Sequence, residues 1–203
     1  MNKPEKLPAR GRPREFCVDM ALSKALGVFW AKGYDGASLN DLTEAMGITR
    51  PSLYAAFGNK EALFRKALDL YEREKMCYVT RALGKPTARE VADTMIQGAL
   101  DNATGPGEPH GCLRVISSVA CGHSAQSIQQ EIVKRGNVAK AALVDRFRAA
   151  QQDGDLPPDI DPEGLTLALL SVLQGISLQA NQGASRAELE LLADTVGKMW
   201  PSH

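Results

Sequence analysis

The chain of 203 residues balances 24 Lys and Arg against 24 Asp and Glu, with 44% hydrophobic and 5% aromatic residues. That length buries a substantial core in one large or two modest domains, and zero net charge excludes attachment to a polyanion by bulk charge alone. Cys17, Cys77, Cys112 and Cys121 are scattered without a C-x-x-C pair, which fits reduced thiols better than a disulfide framework.

The charge is nevertheless uneven. Residues 1–60 carry nine Lys and Arg against six acids, a net of +3, and the remainder carries the balancing −3. A basic head on an acidic body orients a chain on DNA. Residues 1–13 read as a flexible basic arm without the apolar run of a secretory signal. Within and just after it, Arg10-Gly11-Arg12-Pro13-Arg14 is either a solubilising tail or an arm that enters an A·T-rich minor groove. A first helix follows, since Val18, Leu22, Ala25, Leu26 and Phe29 recur at helical spacing and Gly33-Tyr34 is expected to end it.

The densest information lies between Ser38 and Lys60. Ser38 caps a helix whose inner face is Leu39, Leu42 and Met46, with Asp41 completing a capping box. Gly47 stops it, because glycine enters the left-handed conformation without a Cβ penalty. Thr49 then caps a second helix that carries Pro51 in its first turn, where a missing amide hydrogen costs little. Leu53 and Phe57 face inward at i, i+4, leaving Arg50, Ser52, Tyr54, Ala55 and Ala56 more exposed. Two short helices joined by a glycine turn form a helix-turn-helix, whose second helix enters the major groove N-terminal end first. Asn59 caps a further helix, and Lys60 with the free amides there suits a phosphate.

Beyond that point only helices are predicted, over 59–82, 87–103, 112–122, 125–152, 162–181 and 185–200, separated by Gly- and Pro-rich breaks. The apolar stretch from Leu165 to Ala180 is interrupted by Thr166, Ser171, Gln174, Ser177 and Gln179, too polar and short to span a bilayer comfortably. The last two helices form a hairpin around Gly183. Its apolar stripes are Leu165, Leu169, Val172, Leu173 and Ile176 on one helix and Leu189, Leu192, Val196, Met199 and Trp200 on the other. These stripes are either core of one subunit or the halves of a four-helix interface across a two-fold axis.

Ala25-Leu26-Gly27-Val28-Phe29-Trp30, Lys32-Gly33-Tyr34, Ser38-Leu39-Asn40-Asp41-Leu42, Ala45-Met46-Gly47-Ile48, Ser52-Leu53-Tyr54-Ala55-Ala56-Phe57 and Asn59-Lys60-Glu61-Ala62-Leu63 resemble the TetR family of transcriptional regulators in order and spacing. The likeness runs from about Arg14 to Tyr71. After it, only length, helical character and a Gly111-Cys112-Leu113 triplet resemble the family. The resemblance implies an all-α fold, with a helix-turn-helix DNA-binding domain over 14–58 and a regulatory, effector-binding and dimerisation domain over 59–203. It implies a cytoplasmic homodimer that represses from a palindromic operator in double-stranded DNA and is released by an unidentified small-molecule effector, with no membrane partner. By that analogy Arg50, Ser52 and Tyr54 reach bases or phosphates, Pro51 touches a thymine methyl, and Lys60 binds a phosphate. Asn40 lies beside the DNA backbone, and Arg12 and Arg14 belong to the arm. Ala55 and Ala56 depart from the larger side chains many members carry there, which narrows the set of base contacts.

The resemblance places an effector pocket among the middle helices, where Tyr71, Met76, Tyr78, Met95, Cys112, Leu113 and Ile116 are candidate linings, and the dimer interface on Leu169, Val172, Leu173, Ile176, Leu189, Leu192 and Val196. An aromatic or Met at helical spacing is more often ordinary core. Cys112 falls in the first turn of a helix, where the dipole favours a thiolate. An alternative is therefore a regulator answering to oxidants or electrophiles at Cys112, or an activator answering to a protein partner. His110 and His123 flank Cys112 and Cys121 at intervals irregular for zinc, so no metal or cofactor is expected. No H-E-x-x-H, phosphate loop or nucleophile elbow is present, and no enzyme is expected.

Overall fold

The computed structural model describes residues 17–119 and 125–201, and every regular element among them is a helix. Arg12, Arg14, Cys121 and His123 lie outside the described residues. In chain order the helices are α1 (Val18–Gly36), α2 (Leu39–Met46), α3 (Arg50–Phe57), α4 (Lys60–Lys75), α5 (Cys77–Leu83), α6 (Ala88–Ala103), α7 (Leu113–Val119), α8 (Gln126–Gln152), α9 (Pro162–Asn181) and α10 (Arg186–Met199). None of them is long and apolar enough to cross a membrane.

Local chemistry sets most of these boundaries. Ser38, Thr87 and Ser185 each form a reciprocal capping box with the acid three residues on, and Asn59 and Asp161 accept from the first free amides of α4 and α9. The regular part of α1 breaks at Gly33, with φ 69° and ψ 178°, and one short turn carries the chain on to Gly36. The single helix expected over 59–82 is two. Met76, at φ −108° and ψ 14°, separates α4 from α5, which redirects the chain so that Tyr78 lies flat on α6. The approach is so close that a Cβ added at Gly98 would meet the Tyr78 ring at 2.3 Å.

Two hydrophobic clusters hold the chain together. The first gathers α1 to α4 around Phe29, Trp30, Leu42, Leu53, Phe64 and Tyr71, and it extends into Leu113 of α7 and Ile128 and Ile132 of α8. The second packs α5, α6, α9 and α10 around Met95, Leu100, Leu169, Ile176 and Leu189, and takes Leu143 and Phe147 from the far end of α8. The 27-residue α8 thus contributes to both, and an ion-pair network in which Arg135 meets Asp69, Glu72 and Glu131 at 2.7–2.8 Å fastens it to α4.

Candidate nucleic-acid interface and internal cavity

The α2–α3 pair is built as its residues require. Gly47 sits in the left-handed region at φ 67° and ψ 33°, and its amide and that of Ile48 close the end of α2 on Glu44 and Thr43. The Ser52 amide donates to the Thr49 hydroxyl at 3.4 Å, starting α3 with Pro51 in its first turn. Leu42, Leu53 and Phe57 are buried against α1 and α4. The buried side of α3 is thereby anchored, and its other side faces out.

On that outer side Arg50, Pro51 and Ala55 are exposed, Ser52 and Ala56 are half-buried, and Tyr54 is 45% exposed. The Arg50 guanidinium donates to the Asn40 side-chain oxygen at 2.8 Å, so the two candidates act as one unit spanning the turn. Lys32 pairs with Asp41 at 2.6 Å. That ammonium, together with the Ser38 hydroxyl and amide, holds the Asp41 carboxyl well below the ordinary carboxylate range. Lys60, at the start of α4, lies 4.5 Å from the centre of the Tyr34 ring, a cation–π contact. Lys32 and Tyr34 were missed as supports by sequence reasoning, because what they hold is fixed by packing and not by spacing.

Behind this head lies a cavity of about 490 Å³ between α5, α6, α7, α8 and α9. Tyr78, Met95, Cys112 and Met76 line it. Tyr71, Ile116 and Leu113 do not: they belong to the cluster that joins the head to α7, and Tyr71 stands edge-on to Trp30 at 5.0 Å. Tyr71 still borders the cavity at one remove, since Asn102, a lining residue, donates to its hydroxyl at 2.6 Å. Burial, and then the nearby Cys112, pushes the Tyr71 hydroxyl well above its ordinary value; the same two causes raise Tyr78. Both phenols stay protonated at neutral pH. Cys112 precedes α7 and is half-buried, with its amide donating to Ser177 of α9 at 2.6 Å. Arg114, Lys140, Asn102 and Ser177 also line the cavity, and sequence reasoning had not gathered them. Only Asn102 left a signal, a polar residue in phase with Met95 and Ala99 on the buried face of α6.

The junction between head and body is Gly111, at φ 90°. The Trp30 indole donates to its carbonyl at 2.8 Å, and an added Cβ would lie 2.8 Å from the Ser177 backbone oxygen. The chain here is squeezed between α1 and α9, which only glycine permits.

The expected dimer stripe needs correction. Leu169, Ile176 and Leu189 are at most 1% exposed within their own subunit, so a second copy cannot touch them. Val172, Leu173, Leu192 and Val196 are half-buried against the same core. The large apolar side chains that α9 and α10 leave outside are Leu167, Leu178, Leu191 and Met199, the last two 69% and 77% exposed. The helix α9 is apolar on most of its circumference, so spacing alone selected its inward stripe.

Among the described residues no group of His, Cys, Asp and Glu is arranged to hold a metal ion.

Known proteins share this architecture. The family description "Bacterial regulatory proteins, tetR family" matches residues 21–67, and "Tetracyclin repressor-like, C-terminal domain" matches residues 92–196. The HTH-type transcriptional repressor ComR of Escherichia coli (strain K12) is 34% identical over 195 residues, covering 95% of this chain and 93% of the relative. The repressor BdcR of the same organism is 48% identical over 61 residues, 30% of this chain and 31% of that protein. Solved structures of CifR cysteine mutants complexed with 26-bp double-strand operator DNA match at a TM-score of 0.86 and 38% identity, covering 94% of this chain and 100% of the other.

Proposed function

The chain belongs to the TetR family of transcriptional regulators, and on that premise we propose that it is a cytoplasmic homodimeric repressor released from a palindromic operator when a small molecule fills the cavity. The observation that carries the DNA-binding half is the outer face of α3. A buried Leu53 and Phe57 fix the helix, while Arg50, braced by Asn40, and Tyr54 stand free to meet a groove. Arg50 reads a guanine edge or a phosphate, Ser52 and Tyr54 bases or phosphates, Pro51 a thymine methyl and Lys60 a phosphate. A single helix of this size reads few base pairs, so two copies on half-sites about one helical turn apart supply the affinity. The outward residues Leu178, Leu191 and Met199, with the edges of Val172, Leu192 and Val196, supply the apolar surface for that pairing.

Support for release by a ligand comes from where the cavity ends. Asn102 and Cys112 stand on its wall, Asn102 bonds Tyr71, Tyr71 packs on Trp30, and Trp30 bonds the Gly111 carbonyl. A ligand that displaces this wall shifts groups in contact with α1, and the coupling expected of such systems is about 1–3 kcal/mol. The test is operator selection from a random duplex pool at stated salt, followed by titration of the selected site. Arg50→Ala with Tyr54→Ala should weaken binding by roughly tenfold to several hundredfold and leave the dimer mass unchanged. Loss of dimerisation in that double variant would refute the division between reading head and body.

A second reading rests on Cys112, a half-buried thiol on the cavity wall. If oxidants or electrophiles are the signal, Cys112→Ser binds the operator normally and is no longer released by a thiol-reactive probe such as N-ethylmaleimide. Release of that variant by the same probe sinks this reading.

A further inference from the structure

The lining of the cavity is unbalanced in charge. Arg114 and Lys140 are on its wall, and no Asp or Glu is. Fully buried cations ordinarily have a carboxylate at hydrogen-bond distance, and half-buried ones either that or water. Lys140 is half-buried and its ammonium has no ion-pair or hydrogen-bond partner among the described residues. The side chain of Arg114 is 16% exposed, and the nearest carboxylate oxygen, on Glu72, is 3.9 Å away. One oxygen of that carboxylate takes the Arg135 guanidinium at 2.8 Å, and the oxygen that faces Arg114 is buried without a hydrogen-bond partner, so the Arg114–Glu72 pair is long and incomplete. The remaining contact of the Arg114 guanidinium is the Met76 sulfur at 3.8 Å.

A third polar group sets a separate requirement. The side-chain oxygen of Asn102 is buried with no partner, while its amide nitrogen is used on Tyr71. A bare amide oxygen on a cavity wall accepts from a water or from a hydroxyl on the ligand's body, and stays apart from the anionic head. Met76, Tyr78, Met95, Ile132, Leu170 and Leu173 make the rest of the wall largely apolar, and about 490 Å³ is space for at most roughly sixteen non-hydrogen atoms at about 30 Å³ for a water-sized group.

We propose that the cavity takes an organic anion, a carboxylate on an apolar body of about that size, with its charged head on Lys140 and Arg114. The apolar body lies along the Met and Leu wall and replaces water there. The charged head supplies a carboxylate at hydrogen-bond distance, which Lys140 lacks among the described residues and Arg114 meets only at 3.9 Å on Glu72, in a setting where a charge-assisted contact is stronger than at an exposed site. This assignment rests on the reading of the cavity as the effector site.

The experiment uses decanoate, 1-decanol and decylamine, three probes of one chain length and different head charge, titrated calorimetrically into the full-length protein. Decanoate should bind at least tenfold more tightly than 1-decanol, with decylamine weaker than both. Lys140→Gln and Arg114→Gln should each lower decanoate affinity by about tenfold and leave 1-decanol unchanged, with circular dichroism confirming that each variant is folded. Lys140→Gln is the decisive variant, because among the described residues Lys140 has no ion-pair or hydrogen-bond partner to lose. Equal or tighter binding of 1-decanol, decanoate affinity indifferent to Lys140→Gln, or no binding by any probe overturns the proposal. Operator affinity is read separately by fluorescence anisotropy. Decanoate that binds with the expected selectivity without loosening the operator supports the ligand class and refutes release, whereas release by 1-decanol alone refutes the ligand class and keeps release.

Discussion

Gly107 and Gly111 lie in one loop and both adopt left-handed backbone, at φ 76° and 90°. Around Gly107 an added Cβ would meet nothing within 4 Å. At Gly111 it would lie 2.8 Å from the Ser177 backbone oxygen, 3.1 Å from Ile116 Cδ1 and 3.2 Å from Asn181 Cβ. Alanine at either position incurs the left-handed penalty of about 1–2 kcal/mol. Alanine at Gly111 must also push α9 away, and overpacking of this kind costs about 1–3 kcal/mol more. The same displacement stretches the Cys112 amide from Ser177 and the Gly111 carbonyl from Trp30. For a chain of this length each kcal/mol shifts the melting temperature by about 2–4 °C. Gly111→Ala should therefore melt roughly 3–10 °C below Gly107→Ala. Differential scanning calorimetry at one protein concentration, without DNA or ligand, measures the pair free of mass-action effects. Equal melting temperatures would refute the idea that Gly111 is required by close approach to α9 and not by backbone conformation alone.

Two further outcomes follow from the head. Asn40→Ala removes the acceptor that braces Arg50, so operator affinity should fall by about twofold to tenfold through lost preorganisation, and Arg50→Ala made on top of it should cost less than Arg50→Ala alone in an anisotropy assay; full additivity would mean the bond does not persist on DNA. Asp41 is a carboxylate whose folded-state pKa is depressed, chiefly by Lys32 and then by Ser38. Its contribution to stability is present above the unfolded value of about 3.9 and is lost as pH falls toward the lower folded value. Asp41→Asn should thus be less stable than the natural protein near neutral pH, with the gap between their urea midpoints closing below about pH 4. A gap that widens with acid would reverse the assignment.

The helix-turn-helix was legible because its determinants are local. Ser38 and Asp41, Gly47, Thr49 and Asn59 each act within a few residues, so type and spacing suffice, and the structure places every one of these caps as expected. The break at Met76 was not legible, because one residue out of helical conformation leaves the apolar spacing before and after it almost in register. What the break permits is the seating of the Tyr78 ring on Gly98, twenty positions further along the chain. The inner stripe of α9 was mistaken for an outer one for a related reason. Leu165, Leu169, Val172, Leu173 and Ile176 show helical periodicity, but Leu167 and Leu178 show it on the opposite side, and periodicity carries no sign that says which face meets the core.

The cavity was half legible, and the division is physical. Large or soft side chains such as Tyr78, Met95 and Cys112 attract notice from sequence because they fill space, yet Tyr71 fills space in the same way and closes the core against Trp30. A charged residue on a long helix, by contrast, reads as solvated by default. Arg114 and Lys140 are separated by twenty-six positions on α7 and α8, and each alone is unremarkable. What distinguishes them is a relation between elements: both line one cavity, no acid shares it, and the carboxylate nearest Arg114 is held by Arg135. Sequence shows which charges exist, but the missing counter-charge is a property of the packed helices, and it is that deficit which gives the cavity a chemical preference.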